Sequence, residues 1–371
     1  MLESPSLLTT VLAFLLVLGP LVLVHELGHY LVGRLFGVKA DAFSIGFGKE
    51  LAGWTDRRGT RWKLSALPLG GYVQFAGDMN AASMPGEADP LIPADVRAQQ
   101  FQSKPLWQRS LIVAAGPVTN LVVAVAIFAA FNLAYGKVVA TPEIAAFSES
   151  SPAKDAGLRV GDTILAIDGT AVESFTDLPA RVIPYPGHTV TLHVERDGAK
   201  LDIPVKIASA IERDRFGNEA RVGRLGIMAG RGELVPVGPV EAVTLGVDQT
   251  SAMIRMMVTG IGQMFTGERS VKELGGPIKI AQYSGEQFSL GWQAFVGFAA
   301  LISINLAFIN LLPIPGLDGG HLAFYAAEAV RRKPLGLRSQ EWAFRTGLAL
   351  VLGLMLFVTI NDLASLRIFG S

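Results

Sequence analysis

The amino-acid sequence predicts a polytopic α-helical membrane protein with about four transmembrane helices, a membrane-associated β-hairpin region and an inserted α+β domain. Three observations lead there. Half of the 371 residues are hydrophobic, and only 17% are charged. Four apolar stretches reach membrane length, at 6–29, 110–135, 293–313 and 343–362, and a helix needs about 20 such residues to cross a bilayer. Between the second and third, residues 138–230 change to short β-branched runs with regular turn signals.

Composition also excludes. The 32 basic and 32 acidic residues cancel, so nothing favours nucleic acid as a partner. Cysteine is absent, which rules out disulfides and thiolate metal sites; any bound metal must rest on nitrogen and oxygen ligands. The start, MLESPSLLTT, lacks a basic region, and no small-residue cleavage site precedes residue 25. The first apolar run is therefore expected to stay as a membrane span.

Residues 1–37 form the first transmembrane helix. The run 7–24 carries no charge, and HELGH follows without a break, placing His25, Glu26 and His29 at membrane depth. Positions i and i+4 share a helix face, so both imidazoles can reach one metal while Glu26 flanks it. Ionisable groups at that depth are costly and by default mark a functional site.

Residues 38–108 form a cytoplasmic, membrane-re-entrant region. Within it, 41–77 alternates apolar and polar residues with glycine and proline punctuation, which predicts short strands. Backbone at this depth must be paired or line a cavity, so a small sheet beside the site is expected. Its free edge offers strand addition to an extended substrate. The second transmembrane helix covers 109–136, with Gly116-Pro117 as a kink or close-packing point.

Residues 137–231 are the inserted domain. In SPAKDAGLRVGDTILAIDG, Ser151 and Pro152 open a short helix, Gly157 suits its end, and Asp168-Gly169 makes a turn. His188 and His193 lie among its strands as ordinary residues. Residues 232–291 are a linker on the same side of the membrane. Its apolar stretch 240–265 carries Asp248 and Arg255 mid-way and reads as an amphipathic helix. Residues 292–371 hold the third and fourth transmembrane helices.

Charge sets the orientation. Arg331, Arg332, Lys333, Arg338 and Arg345 cluster in 331–345. The positive-inside rule then puts both termini outside and 314–342 in the cytoplasm. Spans one and three both run inward, so HELGH and LDGGH (317–321) reach the same depth.

Two histidines leave a zinc ion needing a third protein ligand and an open position. Asp318 and His321 are both at the right depth, and charge and spacing do not choose between them. Asp318 also suits a helix N-cap. Asn310 lies at the end of span three, where its amide can pair helices or bind substrate.

GLRVGDTILAIDG resembles the most recognisable stretch of PDZ domains, and only one copy is present. HELGH, together with NLLPIPGLDGGH around that insert, resembles the site-2 protease family of intramembrane zinc metalloproteases, in a single-PDZ form of the bacterial regulator-of-sigma-E proteases. FSIGFG (43–48) and PLGGYV (68–73) resemble the family's re-entrant β-loop. FQSKPLWQRSLIVAAGPVTN, GGPIKIAQ and SINLAFINLLPIP resemble its blocks around later spans.

The resemblance implies Zn2+ held by His25, His29 and Asp318, with Glu26 as the catalytic carboxylate. It points to Gly46, Gly48, Gly70, Gly71 and Asn310 as substrate-positioning residues. Many relatives carry two PDZ domains, and many carry a bulkier residue at the place of Gly316; this sequence departs on both.

The function expected is regulated intramembrane proteolysis of a single-pass membrane protein, an anti-sigma factor already cut once, in envelope-stress signalling. The lipid bilayer is the second partner, and a peptide C-terminus at the PDZ domain a third. The location implied is the bacterial inner membrane, multi-pass, with the PDZ domain periplasmic. The rival is an inactive PDZ scaffold with a structural metal; a transporter is another. The intact Glu26 argues against both.

Overall fold

The computed structural model describes residues 5–77, 93–213, 219–333 and 335–365. It divides into two compact units, Met1–Ile127 with Gly276–Ile360 and Phe128–Gly275 with Asn361–Ser371. The fold class is the predicted one. Four helices, Leu7–Leu35, Leu106–Tyr135, Trp292–Leu311 and Arg338–Ala364, are long and apolar enough to cross a membrane.

In the first unit, α1 (Leu7–Leu35) is capped by Ser6, whose hydroxyl accepts from the Thr9 amide at 3.1 Å. The helix ends at Leu35, within the expected 1–37 segment and six residues past the apolar stretch 6–29, because YLVGRL continues its apolar spacing. Gly28 lets it approach α3 (Leu106–Tyr135): a Cβ there would lie 2.6 Å from the Ala115 carbonyl oxygen. Small residues set such close crossings in membrane bundles. Leu7, Leu8, Leu12 and Leu16 project outward from α1, as a lipid-facing surface requires.

Between these helices, β1 (Ala40–Thr55) and β2 (Arg61–Phe75) form one long antiparallel ribbon, followed by the short α2 (Ala94–Arg97). The sequence predicts shorter strands. The difference arises from Gly46 and Gly48, which take φ of +90° and +87° and break the register without ending the strand. Phe43 stands beside both Val73 and Trp62, so the ribbon curls back on itself. Phe43 stacks on Trp62 at 4.5 Å, and with Tyr30, Val38, Phe75, Phe101 and Ile112 it builds a buried core against α1 and α3. The unit is completed by α7 (Pro277–Ser289), α8 (Trp292–Leu311), α9 (Asp318–Arg331) and α10 (Leu337–Ser365). A second small core joins Val17 and Leu21 of α1 to Ile302 of α8.

The second unit carries the PDZ-like stretch. It begins with β3 (Lys137–Val139), β4 (Ile144–Phe147) and α4 (Pro152–Asp155), where Ser151 caps Lys154 at 3.2 Å and Gly157 follows at φ +97°. Next come β5 (Thr163–Ile167) and β6 (Thr170–Ala171), joined through Asp168 and Gly169, both at positive φ, then α5 (Pro179–Val182). The strands β7 (Thr189–Arg196) and β8 (Ala199–Lys206) complete a sheet of order β6-β5-β7-β8. The core packed on it includes Ile144 of β4 with Ile164, Leu192, Val194 and Val205. Three further pairs involve β9 (Ala208–Arg213) with β10 (Glu219–Arg224), β11 (Ile227–Ala229) with β4, and β12 (Glu233–Val235) with β3.

Arg196 grips the buried Asp162 with two bonds of 2.7 Å, and Asp162 also accepts the Arg159 amide at 2.8 Å. Burial works against the charged form, but the Arg196 fork and the Arg159 amide outweigh it and hold the Asp162 carboxyl below the usual carboxylate range. The amphipathic stretch is one helix, α6 (Pro239–Thr266), with Val240, Val243, Val247, Val258 and Phe265 exposed along it. His193 pairs with Asp202 at 2.6 Å, and His188 with Glu268 at 3.4 Å.

Candidate metal centre

The centre begins with helix geometry. His25 and His29 stand one turn apart on α1, and their Nε2 atoms lie 3.2 Å from each other. The third group arrives from a tight reversal. After α8 ends, Gly316 takes φ +98°, and Gly319 and Gly320 pack on the backbone just before them; a Cβ on Gly320 would lie 2.7 Å from Pro315 Cα. Only glycine lets LDGG fold the start of α9 onto the end of α8.

Asp318 is the first residue of α9, and the N-cap is Leu317, with no side-chain cap bond. The capping role considered for Asp318 is thus not the one it takes. Its Oδ2 points instead at the histidines, 3.2 Å from His25 Nε2 and 3.5 Å from His29 Nε2. Among the described residues, these three form the group whose ligand atoms converge.

The donor set fits zinc. Zinc–nitrogen and zinc–oxygen bonds of about 2.0–2.1 Å in tetrahedral geometry separate ligand atoms by roughly 3.3–3.4 Å, and the triangle here has edges of 3.2, 3.2 and 3.5 Å. Asp318 Oδ2 is enclosed and accepts no hydrogen bond. A buried carboxylate oxygen without a donor is costly unless a cation meets it. His29 Nδ1 lies 2.9 Å from the Ile112 carbonyl oxygen, which can only accept. The ring proton therefore sits on Nδ1, and Nε2 keeps its lone pair for a metal.

The three groups line a cavity of about 350 Å³. Glu26 lines it too, next to Gly71 of the ribbon, where a Cβ would lie 3.2 Å from Glu26 Cγ. Gly70 and Asn310 also face the cavity, whereas Gly46 and Gly48 do not line it and act as bends in β1. His321 lines the cavity outside the converging group, with its ring tilted against Tyr325 at 6.5 Å.

The sequence marks Gly116 as a kink or close-packing residue; the structure also places it against both histidines. A Cβ on Gly116 would collide with His29 Nε2 and lie 2.8 Å from His25 Nε2. The missing side chain keeps open the space between the two Nε2 atoms. The available signal was position: Gly116 lies on the helix predicted to follow HELGH back across the membrane.

The family model for peptidase family M50 matches residues 13–354. The chain belongs to that family. A candidate zinc metalloprotease of Agrobacterium fabrum is 45% identical over 361 residues, 96% of both chains. One of Rhizobium meliloti is 43% identical over 360 residues, 95% of this chain and 96% of that one. The metalloprotease MmpA of Caulobacter vibrioides is 35% identical over 386 residues, 98% of this chain and 97% of that one.

This M50 peptidase is accordingly a multi-pass membrane zinc metalloprotease. The family expected from HELGH and LDGGH is the one found. Neither the scaffold nor the transporter reading gains support from it.

Proposed function

We propose that this M50 peptidase cleaves single-pass membrane proteins within or near their membrane segment, with His25, His29 and Asp318 holding the zinc and Glu26 as catalytic carboxylate. The observation that carries this reading is the convergence of three ligand atoms, two of them on a membrane-length helix, in a cavity that Glu26 shares. Zinc, when bound, supplies Lewis acidity toward the scissile carbonyl. Glu26 takes a proton from the attacking water and returns it to the leaving nitrogen. The Asn310 amide and the Gly70–Gly71 backbone offer hydrogen bonds to an unwound substrate strand; Gly46 and Gly48 support this by shaping the ribbon.

By the same proposal the substrate is an anti-sigma factor shortened by an earlier cut, and its released cytoplasmic part starts an envelope-stress response. The enzyme sits in the bacterial inner membrane with a periplasmic PDZ domain that binds a new C-terminus or excludes uncut substrates. The test is Glu26→Gln in the full chain, co-expressed with a single-pass reporter. Cleavage falls by at least ~100-fold, as expected for loss of a general base, while zinc stays bound. Undiminished cleavage by the zinc-loaded variant overturns the reading.

A further inference from the structure

Asn120 lies on α3, fully buried, with its backbone carbonyl oxygen accepting from Ser303 Oγ of α8 at 2.8 Å. Its side-chain amide meets the other ring nitrogen of His25: Nδ2 stands 3.3 Å from His25 Nδ1. At the far end of the same amide, Oδ1 is buried and has no partner.

These facts decide which way the amide must face. An NH2 group only donates, so with Nδ2 toward the ring, His25 Nδ1 must be the acceptor and the ring proton must sit on Nε2. That proton would point at His29 Nε2 and Asp318 Oδ2, where the ligand lone pair is needed. A half-turn of the amide exchanges its two ends, which are nearly identical in size. Because Oδ1 has no partner, this turn breaks no hydrogen bond on the far side. Oδ1 then accepts the Nδ1 proton, and Nε2 keeps its lone pair. His29 is held in the same state by the Ile112 carbonyl.

We propose that Asn120 is a positioning residue for the zinc site: through Oδ1 it fixes the tautomer and ring direction of His25. The inference rests on the ligand assignment above. It concerns no contact with substrate; its effect is on metal affinity. Hydrogen bonds of this kind behind a ligand histidine are worth 10- to 100-fold in metal binding.

The experiment is zinc affinity of the purified full chain in detergent, measured by competition with a chromophoric chelator. His29→Ala tests the ligand assignment and is expected to lose the tight site. Asn120→Leu keeps the side chain's size, removes the acceptor and is expected to weaken zinc binding by roughly 10- to 100-fold. Asn120→Asp keeps an acceptor and cannot donate, so it is expected to bind zinc at least as tightly as the parent. A merely structural amide would make Asp as harmful as Leu. If His29→Ala still binds zinc tightly, the ligand assignment fails, and this inference with it. If His29→Ala loses zinc but Asn120→Leu binds as the parent does, or Asn120→Asp weakens as much as Leu, the assignment stands and the role of Asn120 is refuted. Should Asn120→Leu fail to fold, Asn120→Asp alone decides.

Discussion

Replacing Gly116 by alanine tests the centre with one methyl group. The added Cβ would lie 2.8 Å from His25 Nε2 and closer still to His29 Nε2. Carbon in van der Waals contact sits about 3.5 Å or more away, so His25 must move by about 0.7 Å, and His29 by more. Metal–ligand distances tolerate only about ±0.2 Å. Neither ring can rotate freely, because His29 is bonded to the Ile112 carbonyl and Gly28 fixes the α1–α3 crossing. Overpacking of this size costs about 1–3 kcal/mol in stability. Displacing both imidazoles is expected to cost at least ~10- to 100-fold in zinc affinity, the range seen when a ligand histidine loses its support. A misplacement near 1 Å is expected to cost cleavage a further ~100-fold. The assays are zinc content after dialysis, chelator competition and reporter cleavage. A Gly116→Ala protein that keeps parental zinc affinity and cleavage would show that the metal does not sit between these nitrogens.

Two further predictions follow from the geometry. Asp318→Asn is expected to lose tight zinc binding and at least ~100-fold of cleavage, whereas His321→Asn keeps zinc stoichiometry; metal analysis of both variants is the check, and the reverse pattern would make His321 the ligand. In the inserted unit, Asp162 has a folded pKa below its unfolded value of about 3.9, so its contribution to stability is full above that value and is lost as pH falls through the lowered folded one. Arg196→Met is expected to speed amide exchange in β5 and β7 of the full chain at neutral pH and to flatten its dependence on acid; an unchanged exchange profile would count against the pair.

What the sequence reveals is uneven for physical reasons. The spacing of His25 and His29 is read directly, because i,i+4 on a helix is local geometry. Asp318 needed depth as well as a motif, and the charge bias of 331–345 supplied it. The ribbon was harder. Gly46 and Gly48 look like strand ends, yet positive φ inside a strand only bends it, and the partner strand restores pairing beyond the bend. Gly116 and Asn120 were illegible as site residues, since a glycine or a buried amide in an apolar span has many ordinary uses, and only a crossing angle tells which one applies.

That crossing explains the centre as one design. On α3, residues 112, 116 and 120 repeat at the same four-residue interval that separates His25 from His29 on α1. The two helices run antiparallel here, for the Ile112 carbonyl meets His29 and the Asn120 amide meets His25, while Gly116 lies against both Nε2 atoms. Each position does a different job: an acceptor behind one imidazole, no side chain between them, and an acceptor behind the other. Matching intervals keep two helices in register only over a turn or two and only at close approach, which Gly28 provides against Ala115 and Thr119. A change of register on α3 by a single residue would put a side chain between the two Nε2 atoms in place of Gly116 and take the Asn120 amide away from His25. The apolar helix packing and the metal chemistry are therefore one constraint, and a substitution that widens the α1–α3 crossing, such as Gly28→Val, is expected to lower zinc affinity without touching a ligand.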